Sequence, residues 1–212
     1  MATKRNNSKI QDLTLIAIFS ALVIVLQFFA GNFSAAVGVN FTLALTPIIL
    51  CGAIVGIKGG IITGAVFGAM TVINAVISRD LWTAALLQLN AKSAILTVLV
   101  CFTKAIAAGL VSALVYKALA KKNDLIAVFI SSALAPIVNT SLFILLALTV
   151  LSGAFTSLST SGNAMFVGSE TDIINYLVIG CAGVNFLFEF VINLILAPVI
   201  HRVTKAVSKG KI

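Results

Sequence analysis

The sequence predicts an all-α fold: an integral membrane six-helix bundle with both termini on the cytoplasmic side. Three observations carry that expectation. The 212 residues are 60% hydrophobic and only 9% charged, against roughly 25% charge in soluble domains. The mean hydropathy is +1.17, and the apolar residues fall in runs of about 20, the length that crosses a bilayer as a helix. The positive charges gather at the ends of those runs, mostly on one side. No composition shift divides the chain, so one domain over residues 1–212 is expected.

Apolar windows place the six helices near residues 13–30, 41–57, 59–77, 93–118, 125–151 and 172–200. The first follows a short polar segment ending at Asp12. It is too long for a signal peptide and lacks a convincing cleavage site, so it should stay in the protein. The second and third are joined only by Ile57, Lys58 and Gly59. With an even number of spans, all of the 14 Lys and Arg residues but Arg79, Lys92 and Lys104 lie on one side, which makes that side cytoplasmic. The outer segments are then 31–40, 78–92 and 152–171, rich in Asn, Ser, Thr and Gly and longer than the inner turns. Segments of that length can close over a ligand.

Several functional classes lack their residues. The net charge of +8 forms no basic stripe with interleaved aromatics, so no nucleic-acid partner is expected. Cys51, Cys101 and Cys181 sit singly in apolar runs, and the one histidine, His201, falls beside Arg202 at a helix end. No metal site and no cofactor follow from that set. Gly56, Lys58, Gly59 and Gly60 do not complete a phosphate-binding loop, and no nucleophile and base pair can be named. The chain is therefore not expected to be an enzyme.

The informative residues are the polar ones inside the spans. A charge at mid-bilayer costs roughly 2.5 to 3.5 kcal/mol, so it normally faces a bundle interior or a water-filled cavity. Lys104 precedes Lys117 by 13 residues and Glu189 precedes Arg202 by 13, which puts both about 20 Å from a basic helix end. Asn185, Glu189 and Asn193 recur every four residues and share a helix face. Asn139 and Thr140 fall in the outer half of the fifth span, Asn74 near the outer end of the third, and Gln27 at the end of the first. Together with Trp82, Gln88, Asn90 and Lys92 from an outer segment, these groups can line an outward pocket. In it Lys104 is a seat for a carboxylate. The blander reading makes the asparagines interhelical glue and has Lys104 and Glu189 neutralise each other.

Small residues mark close-packing faces. Gly56, Gly60, Gly64 and Gly68 keep a four-residue spacing that suits packing within the bundle, whereas Ala17 and Ala21 form a pair on the first helix that also suits a partner.

Four stretches, residues 17–21 (AIFSA), 45–68 (LTPIILCGAIVGIKGGIITGAVFG), 104–119 (KAIAAGLVSALVYKAL) and 185–200 (NFLFEFVINLILAPVI), in this order carry a family resemblance over nearly the whole chain. The sequence resembles the substrate-binding S-components of energy-coupling factor (ECF) vitamin transporters, most closely the pantothenate-type branch. The resemblance implies a bacterial plasma-membrane protein that binds a vitamin in its outer half and does not hydrolyse ATP. It implies a transmembrane coupling subunit, docked on a face that maps to Ala17 and Ala21, and two cytoplasmic ATPases. It also implies delivery of the vitamin by reorientation in the membrane. Lys104 stands where the family often has Arg, and an ammonium lacks the guanidinium's fork.

The leading expectation is thus a vitamin-binding subunit for pantothenate. Lys104 would hold the carboxylate, Asn139, Asn185 and Glu189 would supply hydrogen bonds, and Asn74, Trp82, Gln88 and Asn90 would complete the pocket. Riboflavin, folate or pyridoxine are the alternative vitamins. A stand-alone proton-coupled carrier, gated by a Lys104–Glu189 pair, is the alternative from another class.

Overall fold

The computed structural model describes residues 2–37, 42–160 and 174–210. The protein is 92% helical with no strands among the described residues. In chain order the helices are α1 (Ala2–Val37), α2 (Leu45–Val55), α3 (Ile57–Val76), α4 (Leu81–Leu89), α5 (Ala91–Leu119), α6 (Asp124–Val150) and α7 (Ser152–Thr160); a π-helical stretch, Tyr176–Gly183, then runs into α8 (Val184–Gly210).

Five helices, α1, α3, α5, α6 and α8, are long and apolar enough to cross a membrane. The sequence led us to expect six. The difference lies in α2, whose 11 residues rise only about 16 Å, roughly half of a bilayer's hydrocarbon thickness. Its neighbour contacts show what it does instead. Each of the five long helices packs against α2, which buries Leu45, Pro47, Ile48, Ile49, Cys51 and Gly52. A helix that is apolar all round is a core helix when protein surrounds it. Leu45, Ile48 and Ile49 join Val23 of α1, Phe67 of α3, Ala105 of α5, Val128 of α6 and Ile200 of α8 in one buried cluster.

Gly56 explains why α2 stops. Its φ of 91° lies in the region that side chains disfavour, so the chain turns there without strain and α3 starts one residue later. The other glycines of the series have a different task. A Cβ at Gly64 would stand 2.6 Å from the Ala105 carbonyl oxygen and one at Gly68 3.0 Å from the Phe102 Cα, and a Cβ at Gly60 would strike the Gly109 carbonyl. Backbone therefore lies on backbone along the α3–α5 seam, as small-residue faces permit.

The segment 78–92 is largely helical rather than open loop. Asp80 starts α4 by accepting from the Thr83 N–H at 3.1 Å and from the Thr83 hydroxyl at 2.6 Å. Asn90 starts α5 by accepting from the Ser93 N–H at 2.8 Å. Short polar side chains at both helix starts satisfy backbone donors that would otherwise lack partners. α7 similarly fills the start of segment 152–171. With Leu86 of α4, Val100 of α5 and Leu151 after α6, its Ala154 and Leu158 form a second buried cluster.

Candidate functional site

The polar side chains inside the spans converge on one hollow, at the end of the bundle away from the two termini. It is walled by Gln27 and Gly31 of α1, Thr42 before α2, Phe67, Thr71 and Asn74 of α3, and Arg79 and Asp80 of the α3–α4 turn. Lys104 of α5, Asn139 of α6, and Asn185 and Glu189 of α8 complete it. The enclosed space is about 50 Å³, and about 420 Å³ when the open solvent at its mouth is counted.

Glu189 organises one side. It is 1% exposed, and its two carboxylate oxygens accept from the side-chain amides of Asn185 at 2.8 Å and Asn139 at 3.4 Å. A buried carboxylate needs such donors because no water compensates it. The arrangement also orients the asparagines: with each NH2 turned to Glu189, the Oδ1 of Asn139 and of Asn185 is left buried without a hydrogen-bond partner. Two acceptors therefore await donors. Asn193 completes the four-residue ladder differently, donating to the Glu189 carbonyl at 2.8 Å and accepting from Thr46 of α2 at 2.9 Å. It is glue between α8 and the central helix.

Lys104 and Glu189 line the same hollow without touching as an ion pair. The carboxylate is taken up by asparagines. The ammonium instead lies 4.6 Å from the centre of the Phe143 ring, a cation–π contact that holds a charge without cancelling it. It remains available to an anion.

The α1–α3 side is wired separately. Asn74, 2% exposed, donates to the Gln27 carbonyl at 3.0 Å, and Thr42 donates to the Gln27 side-chain oxygen at 2.7 Å. Gly31 is needed here, because a Cβ on it would stand 2.8 Å from the Asn74 amide nitrogen. The Asn74 Oδ1 again has no partner.

Of the residues singled out from the sequence, Lys104, Glu189, Asn185, Asn139 and Asn74 meet at this hollow. Gln88 and Asn90 do not: both are exposed, and Asn90 is the N-cap of α5. Trp82 falls on α4, but its side chain lies outside the described residues, as do outer residues 38–41 and 161–173. Ala17 and Ala21 are exposed on α1, near its middle. Sequence reasoning counted Arg79 only as an outer charge and passed over Asp80, Thr42 and Thr71. Polar residues at helix ends are ordinary, and only the helix-start pattern Asp80 to Thr83 hinted at a structured turn there.

Long apolar helices around a polar hollow define the class: a multi-pass membrane protein. A family model described as ECF transporter, substrate-specific component, matches residues 11–201. The chain belongs to that family. It is accordingly the vitamin-binding membrane component of an ECF importer, not an enzyme, and ATP hydrolysis lies in partner subunits of the ECF module. No curated protein and no solved structure matches the chain.

Proposed function

We propose that this protein is a pantothenate-binding S-component of the bacterial plasma membrane, a single binding domain over residues 1–212 with its hollow facing outward. Its distribution of Lys and Arg supports cytoplasmic termini, and the hollow sits at the opposite end of the bundle. The observation that carries the substrate is the inventory of groups left without partners. One ammonium, on Lys104, is free for an anion, and three amide oxygens, on Asn74, Asn139 and Asn185, are buried without donors. Pantothenate offers one carboxylate, two hydroxyls and one amide N–H, so its charge suits Lys104 and its three donors suit the three oxygens; the unpartnered Arg79 Nη1 on the same wall lies outside that match. Riboflavin or folate would ask for broad aromatic stacking surfaces, and among the described residues Phe67 is the aromatic side chain on the chamber's walls.

Lys104 binds the carboxylate, while Glu189 acts through Asn139 and Asn185 by fixing which way their amides point. Coupling to the transmembrane subunit uses the exposed Ala17–Ala21 face of α1, and two cytoplasmic ATPases drive the reorientation that delivers the vitamin. The carrier alternative requires Lys104 and Glu189 to gate by pairing, and Glu189's bonds to the two asparagines disfavour it.

Isothermal titration of pantothenate into the detergent-purified protein tests the reading. A charge-assisted contact is worth about 2 kcal/mol or more, so Lys104→Ala should weaken binding at least about thirtyfold. Unchanged affinity would remove Lys104 from the site. Reconstitution without ATPases separates the carrier alternative, since sustained accumulation by the chain alone under a pH gradient contradicts the S-component mechanism.

A further inference from the structure

The turn between α3 and α4 carries a group that the proposed function leaves unused. Ser78 has φ 56°, the left-handed conformation that commonly closes a helix, and its N–H donates to the Ala75 carbonyl at 2.9 Å. It folds the chain back over the end of α3. The backbone N–H groups of Arg79 and Asp80 both donate to the Asn74 carbonyl, at 2.8 and 3.3 Å. Arg79 is thereby brought to the wall of the chamber. Its guanidinium carbon lies 4.2 Å from the centre of the Phe28 ring of α1. Its Nη1 is buried and has no hydrogen-bond partner, a costly state for a charged donor unless something else fills the place.

The register of α3 against α5 separates this group from Lys104. Gly64 lies against Ala105 and Gly68 against Phe102, so Lys104 stands level with the middle of α3. Asn74, which anchors the Arg79 turn, is six to ten residues further along, or about 9 to 15 Å. The backbone positions that carry the two cations are therefore offset along the bundle. Their surroundings differ too. Arg79 is followed by Asp80, a second chamber-lining carboxylate, which offsets its charge. The unpaired Asn74 Oδ1 belongs to the same end. A donor and an acceptor that are both vacant suit a hydroxyl, which accepts from one and donates to the other.

We infer that Arg79 is a second ligand anchor and a specificity determinant: with Asn74 it holds a neutral hydroxyl end, about 10 Å from the carboxylate held by Lys104. The inference rests on the proposed binding role of the chamber, and it fixes orientation. The ligand lies along α3 with its carboxylate inward and its hydroxyls toward the mouth. Only an extended molecule with a single charged end satisfies both anchors.

The test measures pantothenate binding directly, and pantothenol binding by competition. Pantothenol replaces the carboxylate with a neutral alcohol and keeps the diol end. Arg79→Ala should weaken both ligands by the same factor, at least about tenfold, whereas Lys104→Ala should weaken pantothenate and leave pantothenol unchanged. Arg79→Lys, which keeps the charge and loses the fork, should fall between wild type and Arg79→Ala, and thermal unfolding of each variant confirms that it folds. A loss confined to pantothenate would make Arg79 a carboxylate seat, and no loss for either ligand would make it a packing residue on Phe28; both overturn the inference. If wild type binds riboflavin, folate or pyridoxine in place of pantothenate, the pantothenate reading fails alone. Arg79 is then judged on that vitamin, where a tenfold loss upholds the anchor and no loss overturns it. Binding of none of the four overturns both.

Discussion

The α3–α5 seam and the chamber beside it share two helices and follow opposite rules. Along the seam, Gly60, Gly64, Gly68 and Gly109 let backbones touch, leaving no room for even a methyl group. A few residues away, Asn74 and Lys104 on those helices, with Asn139 and Asn185 across the hollow, face open space, and each asparagine keeps an unpaired amide oxygen. The seam spends its residues on contact, and contact stabilises the fold. The chamber leaves hydrogen-bonding capacity unmet, which destabilises the empty protein and is recovered only when a ligand arrives. Rigid packing next to unmet polarity is how a site stays open without collapsing.

That contrast can be broken from either side. The largest expected effect is at the seam. Gly60→Val forces side-chain carbons into the Gly109 carbonyl and should cost about 3 kcal/mol, at the upper end for overpacked cores. Thermal unfolding in detergent should fall sharply, and an unchanged midpoint would mean that the two backbones are not in contact. Next comes Glu189→Gln. The replacement keeps the shape but turns one of two acceptors into a donor facing an asparagine NH2, so one amide must rotate and withdraw its oxygen from the chamber. Pantothenate affinity should drop about thirtyfold, or about 2 kcal/mol, with little change in unfolding temperature. A fall in unfolding temperature without loss of affinity would instead make the carboxylate a packing element. The smallest effect sharpens the boundary of the site. Asn90→Ala removes the α5 N-cap and should cost about 1 kcal/mol of stability while leaving affinity unchanged. A binding defect there would return Asn90 to the pocket.

The residues differ in how readable they were. Lys104, Glu189, Asn139, Asn185 and Asn74 announced themselves because a polar group inside an apolar run has no cheap place to go except a shared interior. Gln88 and Asn90 carried the same chemistry but sat between spans, where polarity costs nothing and a capping role is the common one. Arg79 was hidden by the same logic in reverse. An arginine at a helix end reads as a topology signal, and only the Ser78 reversal carries it back over the bundle. α2 was misjudged in length for a related reason. An apolar run measures dryness, and a helix enclosed by five others is as dry as one in lipid.

The sequence by itself determined a membrane protein of long apolar helices, the glycine spacing that lets two of them touch, and the polar residues that must find each other, because burial of charge and amide is penalised wherever they lie. Only the tertiary structure decided that α2 packs at the centre against all five long helices and that Glu189 bonds Asn139 and Asn185. It alone placed Arg79 on the chamber wall. Those outcomes depend on the relative register and order of helices distant in sequence, and local periodicity fixes which face of a helix is polar without fixing what that face meets.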